Sequence, residues 1–128
     1  IFEYSVTHFY YVNIGFKTRI NIKYAWHFRI GDFSWLGEQV WVDNLGLVEI
    51  GANCCISQGA LFICGNHDYK SSSFDLIVKP ISLADGTWVG AGSKICPGVR
   101  MNKNSILSKG STAMGEHKEN TIYQGNPA

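Results

Sequence analysis

The chain has 128 residues, 16 % of them charged, and a formal net charge of +1. This bounds it to one domain with a narrow core, and it excludes both the basic footprint of a nucleic-acid binder and an acidic tail. No run approaches the roughly twenty apolar residues of a membrane-spanning helix, and no signal-peptide pattern opens the chain.

In chain order, residues 1–13 are aromatic-rich, with Phe2, Tyr4, Phe9, Tyr10 and Tyr11. They read as a partly helical cap over the open end of a repeat fold. The chain begins at Ile1 rather than at methionine and reads as a trimmed piece. From Ile14 onward an apolar residue returns at every sixth position: Ile14 and Ile20, then Ile30, Leu36 and Val42, then Ile50, Ile56 and Phe62. The most regular run is Leu83, Val89, Ile95, Met101, Leu107 and Ala113. Four residues after most of these stands a small or β-branched residue, as in Ser34, Cys54, Thr87, Ser93 and Ser105. Neither the 3.6 nor the 2.0 period yields this double spacing, whereas a parallel β-helix built of hexapeptides does. Three hexapeptides make one triangular coil, so the sequence predicts an all-β solenoid of about five coils.

Two interruptions and one irregular corner break the register. Lys23-Tyr24-Ala25-Trp26 is expected to bulge at a corner. The stretch Asp43-Asn44-Leu45-Gly46 adds two residues, and an insertion there is expected to project polar side chains from the wall. Asp43 and Asn44 are therefore candidates to touch a ligand, although an Asx-turn would use the same residues. The third break, residues 63–80, is one long excursion loop, and loops of this size on a rigid scaffold are disproportionately functional. His67 stands at its base, and an imidazole is suited to taking a proton from a hydroxyl.

Beyond the loop, Thr87 takes the small inward position, so the indole of Trp88 is expected to face outward, with Gly90-Ala91-Gly92 leaving room for a ligand against the backbone. Cys54, Cys55, Cys64 and Cys96 form no CxxC pair and read as reduced thiols of a cytoplasmic protein, with Cys54 a small inward hydrophobe.

Gly65-Asn66-His67-Asp68-Tyr69, Lys79-Pro80-Ile81, Asp85-Gly86-Thr87-Trp88-Val89-Gly90-Ala91-Gly92, Pro97-Gly98-Val99 and Gly125-Asn126-Pro127-Ala128, set among the hexapeptides, resemble the hexapeptide-repeat O-acetyltransferases. The likeness is greatest to the colanic acid biosynthesis type, which is related to the maltose, galactoside and nodulation acetyltransferases. Upstream, Asn21-Ile22-Lys23-Tyr24, Trp35-Leu36-Gly37-Glu38, Trp41-Val42-Asp43-Asn44 and Ile56-Ser57-Gln58-Gly59-Ala60 also fit, so the resemblance spans residues 14–128. It implies a left-handed parallel β-helix, a homotrimer with active sites between subunits, acetyl-CoA along the coil edge and no metal. It further implies a sugar or polysaccharide precursor as acceptor. His67 matches the family's catalytic histidine. Asp43 and Asn44 match its acceptor side, Trp88, Gly90 and Gly92 the wall beside the pantetheine arm, and Ser108, Lys109, Gly110, Asn126 and Pro127 the region nearer the nucleotide. Departures lie in Ser111–His117 and in Asn102-Lys103, which bear on the nucleotide contacts and not on the histidine.

Three other readings use the same residues. Cys64, three positions before His67, is a conceivable acyl-accepting thiolate. A zinc hydrolyase of the carbonic anhydrase type shares the fold class but needs three converging histidines, and His8, His27, His67 and His117 lack paired local spacing. A non-catalytic binding or structural solenoid is the remaining one.

Overall fold

The computed structural model describes residues 15–16 and 18–128; the expected cap at 1–13 and the repeat residue Ile14 lie outside them. The described chain winds through three parallel sheets, of six, five and five strands. The first face stacks Gly15–Phe16, Trp35–Leu36, Cys55–Ile56, Trp88–Val89, Ile106–Leu107 and Ile122–Tyr123. The second stacks Asn21–Ile22, Trp41–Asp43, Leu61–Ile63, Lys94–Ile95 and Thr112–Ala113. The third stacks Phe28–Ile30, Val48–Ile50, Ile81–Leu83, Arg100–Met101 and Glu116–His117. Each circuit visits the three faces in turn, giving about five coils, and helix is confined to one 3-10 turn at Ala25–His27 among the described residues.

The sixfold spacing is the inward row of this solenoid. Leu36, Val42, Ile56, Phe62, Val89, Ile95, Met101, Leu107 and Ala113 are wholly buried, and burying the larger of these apolar side chains stabilises by roughly 1.5–3 kcal/mol each. The small companions fill the corners, where a larger side chain has no space. Their hydroxyls are satisfied by backbone across the corner: Ser34 donates to the Gly51 carbonyl at 2.6 Å, Ser93 to Ser108 at 3.0 Å and Ser105 to Asn102 at 2.7 Å. Cys54 is inward and accepts from the Thr87 hydroxyl at 3.2 Å.

Small residues just after an inward position have a different cause. A Cβ on Gly90 would lie 2.3 Å from the Lys109 backbone nitrogen, and one on Gly37 would lie 2.6 Å from that of Gln58. Glycine there lets one coil close on the next. Gly90 is buried, so its lack of a side chain serves the stacking of the coils.

All three register breaks fall at one corner, between the second and third faces, in three successive coils. Residues 24–27 bulge first, 44–47 lie above them, and 64–80 follow. The column is internally bonded. Asn44 Oδ1 accepts from the Tyr24 N–H at 2.9 Å, and Asn44 Nδ2 donates to the Tyr24 and His27 carbonyls at 2.6 and 3.1 Å. One level up, the Cys64 N–H donates to Asp43 O at 3.2 Å and the Ile81 N–H to Leu47 O at 3.0 Å. The expectation that Asn44 projects outward is thus corrected: it is fully buried, because an unpaired bulge backbone needs a buried amide to satisfy it.

Candidate active site

The long excursion is a β-hairpin. Gly65–His67 pairs antiparallel with Leu76–Val78, with His67 opposite Leu76. Its turn is held by Asp68, whose N–H donates to Asp75 O at 2.8 Å and whose Oδ1 accepts from the Lys70 N–H at 3.0 Å. Ser73 and then Ser71 donate to the Asp75 carboxylate, at 2.7 and 3.1 Å, and these hydrogen bonds hold that carboxyl below its usual range. Asp68 is therefore spent on the turn and does not orient the histidine.

Phe74 orients it instead, a residue the sequence reading did not single out. The imidazole stacks on the Phe74 ring with centroids 4.3 Å apart and planes 15° from parallel. His67 Nδ1 lies 3.0 Å from the Phe74 carbonyl oxygen. A carbonyl can only accept, so this bond puts a proton on Nδ1, and in the neutral ring Nε2 then carries the lone pair. Phe74 has a left-handed backbone, φ +51°, which turns its carbonyl back toward the imidazole.

The other candidate residues gather at a different corner, between the first and second faces. There an open groove of about 630 Å³ is lined by Trp88, Gly90, Ser108 and Lys109 of the expected set, joined by Ser57, Gln58, Ala91, Ile106, Leu107, Ile122 and Gln124. Trp88 does face outward, 48 % exposed, and its indole N–H donates to the Ser57 hydroxyl at 2.9 Å. Ile106 and Ile122 continue its outward row, each one coil further on, so the groove has an apolar wall and a polar rim. Gly92 and Gly110 sit at the same corner, outside the groove lining, with φ +67° and +68° and open space where a Cβ would stand. Asn126 and Pro127 lie past the last strand, outside the groove lining, where the chain returns to the second face through the Ala128 N–H on Thr112 O at 2.9 Å. Asp43 is half-buried and pairs with Lys23 at 3.3 Å.

Cys64 does not present a nucleophile. Its thiol is fully buried and bonded to Gly46 O at 3.6 Å. Desolvation pushes its pKa up, Asp43 adds to this, and the Gly46 bond only partly offsets them. Of the histidines described, His27 lies in the first coil, His67 on the hairpin and His117 in the core of the far end; they do not meet within one chain. Among the described residues no group of three His, Cys, Asp or Glu side chains could hold a metal ion, and no helix is long and apolar enough to cross a membrane.

Comparison with known proteins finds the resemblance read from the motifs. No family model matches the chain. It is 29 % identical over 116 residues to the colanic acid biosynthesis acetyltransferase WcaF, as that protein is named, of Escherichia coli K12, covering 91 % of this chain and 64 % of the relative. The chain thus spans a little under two thirds of the length of that relative. A galactoside O-acetyltransferase of Lactococcus lactis is 35 % identical over 49 residues, 38 % of this chain and 24 % of its own. Among solved structures, a hexapeptide-repeat acetyltransferase of Vibrio cholerae superposes with a TM-score of 0.85 at 24 % identity, over 91 % of this chain and 68 % of that one. Its complex with acetyl coenzyme A gives 0.82 at 20 %, over 98 % and 73 %. At these identities the superpositions establish the fold, and the solenoid is the left-handed parallel β-helix that the resemblance implied.

Proposed function

We propose that this chain is an acetyl-CoA-dependent O-acetyltransferase that carries an acetyl group to a hydroxyl of a sugar or polysaccharide precursor. His67 is its general base, 63–80 its active-site loop, and residues 1–128 one acyltransferase domain. The observation that carries the reading is the His67–Phe74 contact, which holds an imidazole at the hairpin base in the tautomer a general base needs. The relatives' names support the acetyl donor, and one structural neighbour was solved with acetyl coenzyme A bound.

The groove beside Trp88 suits the donor. Its apolar wall of Trp88, Ile106 and Ile122 fits a pantetheine arm, and Lys109 on the rim suits the phosphate end. The acceptor oxygen attacks the thioester carbonyl carbon while its proton passes to His67 Nε2. The tetrahedral intermediate is stabilised by N–H or O–H donors at the coil edge, and its collapse breaks the carbon–sulfur bond. The proton on Nε2 then leaves with the coenzyme A thiol. Neither a metal nor an acyl-enzyme enters this sequence.

The hairpin and the groove occupy different corners of one chain. A homotrimer resolves this, with the hairpin of one copy laid against the groove of the next. Tyr69, Phe74, Leu76, Ile77 and Val78 leave the hairpin apolar and exposed, a surface that favours cover by a second copy. Four unpaired thiols suit a cytoplasmic setting. The test is His67→Ala, which should lower kcat by about a hundredfold or more with little change in the KM for acetyl-CoA. Full activity in that variant rejects the mechanism.

A further inference from the structure

His117 and Tyr123 form a stacked pair at the last coil, ring centroids 4.0 Å apart and planes 16° from parallel. His117 closes the stretch in which the chain departs from the pattern it resembles, and the proposed chemistry makes no use of it. The imidazole is fully buried, and neither ring nitrogen has a partner in hydrogen-bonding geometry. Met101 pairs with it from the strand beneath, and Leu107 and Ala113 are the inward residues of the same circuit. Tyr123 is the titratable side chain stacked on it, and its hydroxyl accepts from the Lys118 N–H at 2.8 Å. Arg100, Lys103, Glu116, Lys118 and Glu119, on the strands and turns around this end, are all exposed. Cys96, at a corner one coil down, is half-buried, and burial keeps its thiol protonated. Among the described residues no buried charge therefore faces the imidazole.

Tyr123 joins this pair to the donor groove. It sits between Ile122 and Gln124, which both line the groove, and its carbonyl accepts from the Ser108 N–H at 2.9 Å. Inward and outward residues alternate along a strand, so whatever moves Tyr123 moves the groove wall. Among the described residues Ile122–Tyr123 is paired on one side, with Ile106–Leu107, and terminal elements of this kind open at lower cost than interior ones. Resting on the donor reading of the groove, we infer that His117 is a positioning residue for coenzyme A: its neutral ring holds Tyr123 and the last strand in place, and protonation opens that strand and weakens donor binding. A buried imidazolium would leave two N–H donors unpaired and a charge without a partner. Desolvation accordingly holds this pKa below the ordinary histidine value, with the Met114 backbone opposing in part. The opened coil therefore takes up the proton more readily than the closed one, and falling pH shifts the balance toward opening.

The test measures coenzyme A dissociation constants at pH 7.5 and 5.0 by calorimetry, for the full chain and for His117→Leu. The coenzyme A phosphates titrate in this range too, but equally for both proteins. The weakening in acid should be about fivefold larger in the parent than in the variant, within the roughly tenfold per pH unit that one linked proton allows. Hydrogen exchange adds a local readout. In the parent at pH 5.0 the amides of Asn102, Ile106 and Ser108, which donate to the His117, Thr121 and Tyr123 carbonyls, should lose protection. Those of Gly51 and Cys55, bonded to Leu83 and Thr87, should keep it. Equal acid weakening in the two proteins overturns the inference, as does full protection of the three amides in acid or loss at all five. Should His117→Leu not fold, the parent decides alone. Coenzyme A should then move the midpoint of the His117 NMR titration, assigned by elimination of His8, His27 and His67, to lower pH, and an unmoved midpoint overturns the coupling. Coenzyme A that fails to bind at pH 7.5 rejects the donor reading itself, and this inference with it.

Discussion

The carbonyl of Phe74 lies 3.0 Å from His67 Nδ1 while the ring of the same residue stacks on the imidazole at 4.3 Å. One residue thus sets both the tautomer and the plane of the proposed base. Phe74→Ala keeps the carbonyl and removes the ring. It should lower kcat by about tenfold, within the range of a misplaced general base, and leave the KM for acetyl-CoA unchanged. The ¹⁵N shifts of His67 should show the Nδ1–H tautomer giving way to a mixture. Unchanged kcat with an unchanged tautomer would make the stacking incidental.

Asn44 ties two bulges together through three hydrogen bonds to the backbone of Tyr24 and His27. Asn44→Ala leaves those groups unpaired, and stability should fall by about 2–4 kcal/mol. Asn44→Asp should be no better, because a carboxylate would face two carbonyl oxygens. Urea denaturation measures this. A rise in acceptor KM at unchanged stability would instead return Asn44 to the acceptor site.

The inward rows were legible because their spacing is set by the coil itself: every sixth residue of Leu83 to Ala113 points inward from the next of the three faces. Asn44 was not, because two extra residues turn a bulge inward and no local pattern reports which way. Trp88, Ser108 and Lys109 could be singled out because they match motifs of the family the chain resembles. Ser57, Ile122 and Gln124 could not, since only the stacking of coils brings them to the groove. The Phe74 contact depends on a left-handed backbone within a hairpin turn, which phenylalanine does not announce.

His117 occupies an inward position one coil beyond Met101 and is fully buried. Neither ring nitrogen has a partner in hydrogen-bonding geometry, and the ring stacks on Tyr123 at 4.0 Å. Its strand neighbour Glu116 and the following Lys118 are exposed, so no charge is buried beside it. Desolvation holds its pKa below the ordinary value, with the Met114 backbone opposing only in part. The unfolded chain therefore takes up this proton first as the pH falls, and stability is full above the unfolded value of about 6.5. It should decline below that and level off once the folded imidazole also protonates. His117→Leu, which suits an apolar row, should remove this part of the slope in denaturation midpoints measured from pH 8 to 5. An unaltered slope would assign the acid sensitivity to other groups.

The sharing of sites between copies can be read from mixtures. Within one chain the His67 hairpin leaves the corner between the second and third faces, whereas Trp88 lines the corner between the first and second. If one copy's hairpin serves its neighbour's groove, His67→Ala and Trp88→Ala chains are each impaired alone yet complementary together. Co-refolded at equal amounts and assayed below the KM for acetyl-CoA, random trimers would pair an intact His67 with an intact Trp88 at about one quarter of their sites. Activity should then rise well above the mean of the two variants, and light scattering should show that only the trimeric fraction carries it. Activity equal to that mean would place both residues of each site in the same chain, and an active monomer would remove the need for a shared site.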